Sequence, residues 1–326
     1  MINDIDEYLF DNDSNSEIIY EKKSDQFKSL NKIFLKKNGI FDFFETEKNS
    51  NLVTSKQEKF YEEIKFPNYD GLESYSDLID KAEKTSHFAN ILDKSIDFNS
   101  SILEVGCGTG QLSLFLKRYN RRLVGIDLSI PSLKLADKFR ERNEIDNVLF
   151  LKMNIFNLFF KEGVFDYVIS NGVLHHTYDT EKAFKNILFP LKKNGYVIIG
   201  LYHKYGRLFT NFKQMVIQNF GEKFKFLDPR NIDNNISAEK RYAWLKDQYK
   251  NPHESSHTLN EVLKWFKKYN IEFISSIPFN DFSSAANLFE KKDYINNLFL
   301  KELSMTFSLS QIKEGGFFII VGKKLI

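Results

Sequence analysis

The chain has 326 residues, 42% hydrophobic and 28% charged, an ordinary globular balance that permits one large domain or two modest ones. Its formal net charge of +2 excludes a chain-wide field drawing it to nucleic acid or an anionic membrane. It has no uncharged apolar run of about 18 residues, its single cysteine Cys107 has no internal disulfide partner, and its acidic start, Met1 to Asp13, lacks a signal pattern.

These features predict a cytoplasmic protein with neither a membrane nor a nucleic-acid partner. Residues 1 to about 30 mix Asp, Ser, Asn and Lys with little periodicity, which predicts a frayed start. Ile33-Phe34-Leu35 and Ile40-Phe41-Asp42-Phe43 then flank Asn38-Gly39, a hairpin signal because a type I′ turn needs φ > 0 at both central positions. Residues 50–95 read as helices carrying Phe60-Tyr61 and a Phe66-Pro67-Asn68-Tyr69 break.

From Ser101 the pattern becomes a regular strand–helix alternation. Ile102 to Val105, Arg122 to Ile126, Val148 to Leu151, Phe165 to Ser170 and Gly195 to Leu201 read as strands. Gln111 to Tyr119, Pro131 to Arg142 and Thr180 to Leu191 read as the helices between them. Repeated β-α-β units of this length predict an α/β, doubly wound fold with a parallel sheet and helices on both faces. After Leu201 the alternation stops, with helices expected near 205–220, 237–249 and 259–269. It resumes at Ile271 to Ile277 and ends in the apolar run Gly316 to Val321.

The first strand runs into Glu104-Val105-Gly106-Cys107-Gly108-Thr109-Gly110 and then a helix. Glycines are needed where a chain turns tightly and lets a ligand approach its backbone. The spacing is G-x-G-x-G, not the G-x-G-x-x-G of dinucleotide sites, which disfavours an NAD(P) oxidoreductase. Asp127 ends the second strand, where an acidic residue can accept hydrogen bonds from both hydroxyls of a ribose. The fourth strand ends in Ser170-Asn171-Gly172-Val173-Leu174-His175-His176. All three loops leave carboxyl ends of strands, where open α/β sheets bind ligands.

Through Leu103 to Gly110, Val124-Gly125-Ile126-Asp127 and Phe165 to His176, the sequence resembles the class I S-adenosylmethionine (SAM)-dependent methyltransferases. The likeness covers residues 100 to 201 strongly and Gly316 to Val321 weakly. It implies a seven-stranded, mostly parallel sheet whose last strand is antiparallel and inserted between the fifth and sixth. It also implies SAM as cofactor, with Glu104, Gly106 and Gly108 at its methionine part, Gly110 completing the loop, Asp127 at the ribose and Asn171 near the amino-acid end. Where the family often offers an acidic residue to the adenine amine, this chain has Met153-Asn154, so Asn154 makes a neutral contact at most. Phe60-Tyr61, Phe66 to Tyr69 and Tyr202-His203-Lys204-Tyr205-Gly206-Arg207 resemble a bacterial subgroup whose substrate the resemblance does not give.

The organisation expected is an N-terminal extension, 1–98, and a SAM-binding domain, 99–326, with insertions 202–270 and 280–314 forming a substrate lid. The function expected is methyl transfer by direct displacement to a small or medium-sized acceptor. Two rivals are a SAM-core transferase of a non-methyl group, which would need an acidic pair where Asn171-Gly172 stands, and a non-catalytic partner subunit, whose glycine loop would be degraded. His175, His176 and His203 are candidate bases should the acceptor carry a proton, each with a structural role as the alternative. Tyr61, Tyr69, Tyr202 and Arg207 are candidate substrate contacts by position, Tyr61 and Tyr69 as aromatic faces toward a sulfonium.

His253-Glu254-Ser255-Ser256-His257 spells H-E-x-x-H, but that zinc pattern works only on a helix. Pro252 and the capping box Thr258-Leu259-Asn260-Glu261 predict a loop here and no metal, with His253 or Glu254 as possible substrate contacts. Lys204, Arg207, Lys213, Lys223 and Lys225, against only Glu222, form either a solvated helix face or a surface for an acidic substrate.

Overall fold

In a computed structural model, the structure describes residues 2–45, 52–63, 69, 71–208, 210–212, 215, 216, 246, 251–278, 287–291, 302 and 316–326. After a 3-10 turn at Ile2–Glu7 come the paired strands β1 (Phe10–Asp11) and β2 (Ser16–Glu17). A three-stranded antiparallel sheet follows, made of β3 (Ile19–Glu21), β4 (Gln26–Lys28) and β5 (Ile33–Phe34). The expected frayed start is therefore corrected. Ile5, Leu9, Ile18 and Phe27 are fully buried, and the Lys161 N–H donates to the Tyr8 carbonyl (2.8 Å). What holds the segment is long-range aromatic packing, such as Phe34 stacked on Phe43 at 4.3 Å and Tyr8 on Phe165 at 5.1 Å, which leaves no local period in the sequence.

The hairpin forms where Asn38-Gly39 predicts it, between β6 (Lys36–Lys37) and β7 (Ile40–Asp42), with φ of 54° at Asn38 and 89° at Gly39. The helical part of the extension comprises α1 (Leu52–Glu63), α2 (Tyr75–Thr85) and α3 (His87–Ser95). Ser74 starts α2 with a capping box closed by Asp77. The extension is thus partly β, and the expected break at Phe66-Pro67-Asn68 lies outside the described residues.

The alternation that follows gives strands β8 (Ser101–Val105), β9 (Arg122–Asp127), β10 (Val148–Lys152), β11 (Phe165–Asn171) and β12 (Leu191–Tyr202). Helices α4 (Gln111–Leu116), α5 (Ile130–Arg142) and α6 (Thr180–Ile187) connect them. Then come α7 (Leu259–Lys268), β13 (Ile271–Ile277) and β14 (Phe317–Lys324). The other helices expected in 205–249, and nearly all of 280–314, lie outside the described residues.

One sheet runs β13-β14-β12-β11-β8-β9-β10-β7-β6. β7 to β12 are mutually parallel where they pair, and β14 is antiparallel to both β12 and β13, between them. The doubly wound, mostly parallel architecture is as expected. The count is nine strands, not seven, because the N-terminal hairpin adds β7 and β6 to the edge beside β10. Along β8, Ile102 packs into the core beneath α2 to α5, and Leu103 into the one shared with α6, α7 and the N-terminal strands. Both faces are thus covered, and the carboxyl ends of the strands carry the open loops. Among the described residues no helix is long and apolar enough to cross a membrane.

Candidate active site

The glycine loop leaves β8 with Gly106, Gly108 and Gly110 at φ of 74°, 54° and 72°, all in the left-handed region. Its backbone is pinned from below, since the Gly106 and Cys107 N–H groups donate to the Ile126 carbonyl at 2.8 and 3.0 Å. A Cβ on Gly106 would overlap the Val173 side chain, so the neighbouring loop demands this glycine. The Gly108 N–H donates to Asp127 Oδ2 and the Ser129 N–H to Asp127 Oδ1, both at 2.8 Å. A carboxylate has about four lone-pair sites, so Asp127 keeps capacity for further donors. Burial pushes its pKa up and these N–H groups oppose the shift.

Glu104 ends β8 beneath the loop, nearly buried, and accepts from the Ser113 hydroxyl. Burial, with the charge of Asp127 adding to it, pushes its pKa up to about 7. Asn154 Oδ1 accepts from the Phe156 N–H (3.1 Å), which tightens the turn after β10. Asn171 ends β11; Gly200 on β12 must lack a side chain because a Cβ there would overlap Asn171 Oδ1. That oxygen is buried without a hydrogen-bond partner among the described residues.

These groups surround a cavity of about 530 Å³ at the carboxyl ends of β8 to β11, a size typical of ligand sites. Glu104, Gly106, Gly108, Asp127, Asn154 and Asn171 line its floor, and Gln57 and Tyr61 of α1 close it from above. His176 and Tyr202 also line it. The expected nucleoside, methionine and substrate positions thus meet in one space. The residues fit SAM: a backbone cradle at Gly106 to Gly108, a carboxylate with capacity left for a ribose, and an unpartnered polar atom at Asn171.

Other expected residues lie outside this wall. Gly110 is packed against Phe150 and Ala136, which a Cβ would strike, and it serves helix packing as the residue that starts α4. Tyr69 stacks on Phe139 (4.7 Å) and donates its hydroxyl to the Thr109 carbonyl (2.6 Å), so it braces the glycine loop from behind. His203 is fully buried, and its Nδ1 accepts from the Gly206 N–H (3.1 Å), a turn-closing bond that takes it out of proton transfer. Arg207 is also fully buried, forking onto Glu254 at 2.8 and 2.5 Å and covering the Tyr202 ring at 3.6 Å. That geometry corrects its assignment as a substrate contact and occupies Glu254 as well. Lys213, Glu222, Lys223 and Lys225 lie outside the described residues.

The adjacent histidines separate as their turn geometry requires. His175 is fully buried against Tyr202, ring centroids 4.1 Å apart, with neither ring nitrogen hydrogen-bonded among the described residues. Burial holds its pKa well below the ordinary histidine value, so it stays neutral. His176 reaches the cavity, its Nδ1 3.1 Å from the His253 carbonyl. A carbonyl can only accept, so Nδ1 carries a proton, and in the neutral ring the lone pair lies on Nε2.

Residues 253–257 are not helical and lead to the Thr258 cap of α7, so H-E-x-x-H does not present its imidazoles on one helix face. The Ser255 N–H donates to the His175 carbonyl (2.8 Å), tying this segment to the loop after β11.

Three contributors escaped the sequence reading. Gly200 had a signal, a glycine inside a strand, which marks close approach. Ser129 precedes Pro131 as a helix cap, and its hydroxyl also donates to the Tyr61 carbonyl (2.8 Å). Gln57 carried no signal, because its partners Asn251 and His253 lie nearly 200 residues away.

Residues 96–249 match the sequence family described as a methyltransferase domain. The chain is similar to an uncharacterized methyltransferase, YcgJ, of Bacillus subtilis, 27% identical over 29% of this chain and 37% of that protein. It is also similar to phosphoethanolamine N-methyltransferase 2 of Caenorhabditis elegans, 32% identical over 36% of this chain and 28% of that one. Among solved structures it resembles PKMT2 from Rickettsia typhi in complex with AdoHcy, with a TM-score of 0.52, 16% identity, and coverage of 71% of this chain and 50% of that one. The chain thus spans well under half the length of these two curated relatives.

Proposed function

We propose, starting from the membership of this chain in the class I SAM-dependent methyltransferases, that it methylates a small or medium-sized acceptor inside the cavity under α1. In this reading residues 1–98 are an extension that covers the site, 99–326 the catalytic domain, and 202–270 with 280–314 a substrate lid. When bound, SAM supplies a methyl group already activated on a sulfonium, so the protein's task is alignment and exclusion of water. Glu104, Gly106, Gly108, Asp127, Asn154 and Asn171 would hold the cofactor, and Tyr61 and Tyr202 would flank the substrate.

The observation that carries the reading is His176: it stands in the wall of the cavity that Asn171 also lines, with Nδ1 turned to a carbonyl acceptor. An Nε2 lone pair there can take a proton from a hydroxyl or amine as the methyl group arrives. The names of two relatives, phosphoethanolamine and norajmaline N-methyltransferases, support a small-molecule substrate.

The test is methyl transfer from labelled SAM into fractionated metabolite extracts. His176→Gln should lower turnover by roughly 10²-fold, the lower end of what a positioned base contributes, with SAM affinity unchanged. Tyr202→Ala should lower turnover as well, whereas His203→Ala, at equal amounts of folded protein, should not. Normal turnover in His176→Gln would remove the base from the mechanism.

A further inference from the structure

The tautomer of His176 depends on a carbonyl that does not belong to its own element. That carbonyl, of His253, lies 3.1 Å from His176 Nδ1 and 3.0 Å from Gln57 Nε2. The orientation of the Gln57 amide follows from a backbone group. The His253 N–H donates to Asn251 Oδ1 (3.2 Å), so that oxygen is an acceptor, and Gln57, 2.7 Å from it, must present its Nε2. Asn251 Nδ2 then donates to the Tyr61 hydroxyl (3.0 Å). Gln57 and Tyr61 are four residues apart and share one face of α1.

We propose that Gln57 is a positioning residue for His176: by donating to the His253 carbonyl it holds that oxygen against His176 Nδ1, so the acceptor that selects the Nδ1-protonated ring is in place only when α1 is docked on the 251–253 segment. This rests on His176 acting as the base.

Two features separate this from simple attachment of a helix. Gln57 is 5% exposed, yet its Oε1 is buried with no partner among the described residues. A residue serving packing alone would avoid an unpaired buried acceptor, and leucine would fill the space without one. The two donors also meet at one oxygen. A carbonyl has two lone pairs, and with both engaged the peptide group has no alternative hydrogen-bonding direction toward which to turn. Opening of α1 would remove one donor, together with the Asn251 bridge.

The decisive measurement is ¹⁵N NMR of histidine-labelled protein bound to S-adenosylhomocysteine, with the His176 signals assigned from a His176→Gln variant. Wild type should show Nδ1 protonated and Nε2 bare. Gln57→Leu and Gln57→Met, neither of which can donate to the carbonyl, should populate the Nε2-protonated form while S-adenosylhomocysteine affinity by calorimetry stays within about threefold. An Nε2-protonated ring in wild type, or an unchanged tautomer in whichever Gln57 variant folds, would overturn the proposal. The spectrum needs no methyl acceptor, so failure of the enzymatic reading would appear separately, as absent transfer from labelled SAM by a protein whose His176 still responds to Gln57.

Discussion

The floor and the roof of the cavity are held by different kinds of bond. In the floor, Gly106, Cys107, Gly108 and Asp127 are fixed by short N–H bonds between adjacent strands, so their positions follow from the register of β8 and β9. In the roof and the layer behind it, Gln57, Tyr61, His176, Arg207 and Glu254 are held through side chains from four distant stretches of chain. A floor of this kind forms whenever the sheet forms. A roof of this kind can open while the sheet stays intact, which suits a site that must admit a substrate and then exclude water.

The largest effect that would test this contrast is expected at the roof's buried ion pair. Glu254→Ala removes the carboxylate onto which the fully buried Arg207 guanidinium forks and should cost about 3–5 kcal/mol in urea unfolding. Replacing both partners, Arg207→Met with Glu254→Leu, should recover most of that loss. Wild-type stability in Glu254→Ala would mean that the roof is not held by this pair.

Next in size is the floor. Gly106→Val combines a left-handed φ with overlap on Val173 and should cost roughly 2–4 kcal/mol. Adding Val173→Ala should relieve the overlap and leave the backbone strain. If the double variant is no more stable than Gly106→Val, the loop after β11 does not impose this glycine.

The smallest effect is electrostatic and confined to the floor. Glu104 titrates near 4.5 when unfolded and near 7 when buried in the fold, so the folded state holds the extra proton between those values. The contribution of Glu104 to the stability of the ligand-free protein is therefore fully present below about pH 4.5 and is lost as pH rises toward 7, on the order of 2 kcal/mol. Asp127, raised in the same direction, adds to the slope at its acidic end. Glu104→Gln should flatten the upper part of this profile in thermal unfolding. An unchanged slope there would place the buried proton elsewhere.

The same division explains which parts were legible beforehand. The glycine loop, Asp127 and the hairpin at Asn38-Gly39 were readable because each needs a backbone conformation or strand end that few residue types supply. For Tyr69, His203 and Arg207, a position near the right strands says nothing about side-chain direction. Tyr69 braces the loop from outside, His203 closes a turn, and Arg207 is committed to Glu254. The phenylalanine-held N-terminal sheet was invisible for a related reason: Phe27, Phe34 and Phe43 are unremarkable until Phe159 arrives beside them.

By itself the amino-acid sequence determined the α/β alternation, the order of strands and helices from Ser101 to Tyr202, and the place where the cofactor's cradle must lie. These rest on period, turn chemistry and strand ends, which are local. Tertiary structure alone decided which histidine faces the cavity, where its proton sits, and that α1 and residues 251–257 close over it. Those outcomes depend on hydrogen bonds between groups as much as 196 positions apart, and spacing along a chain carries no record of a bond of that kind.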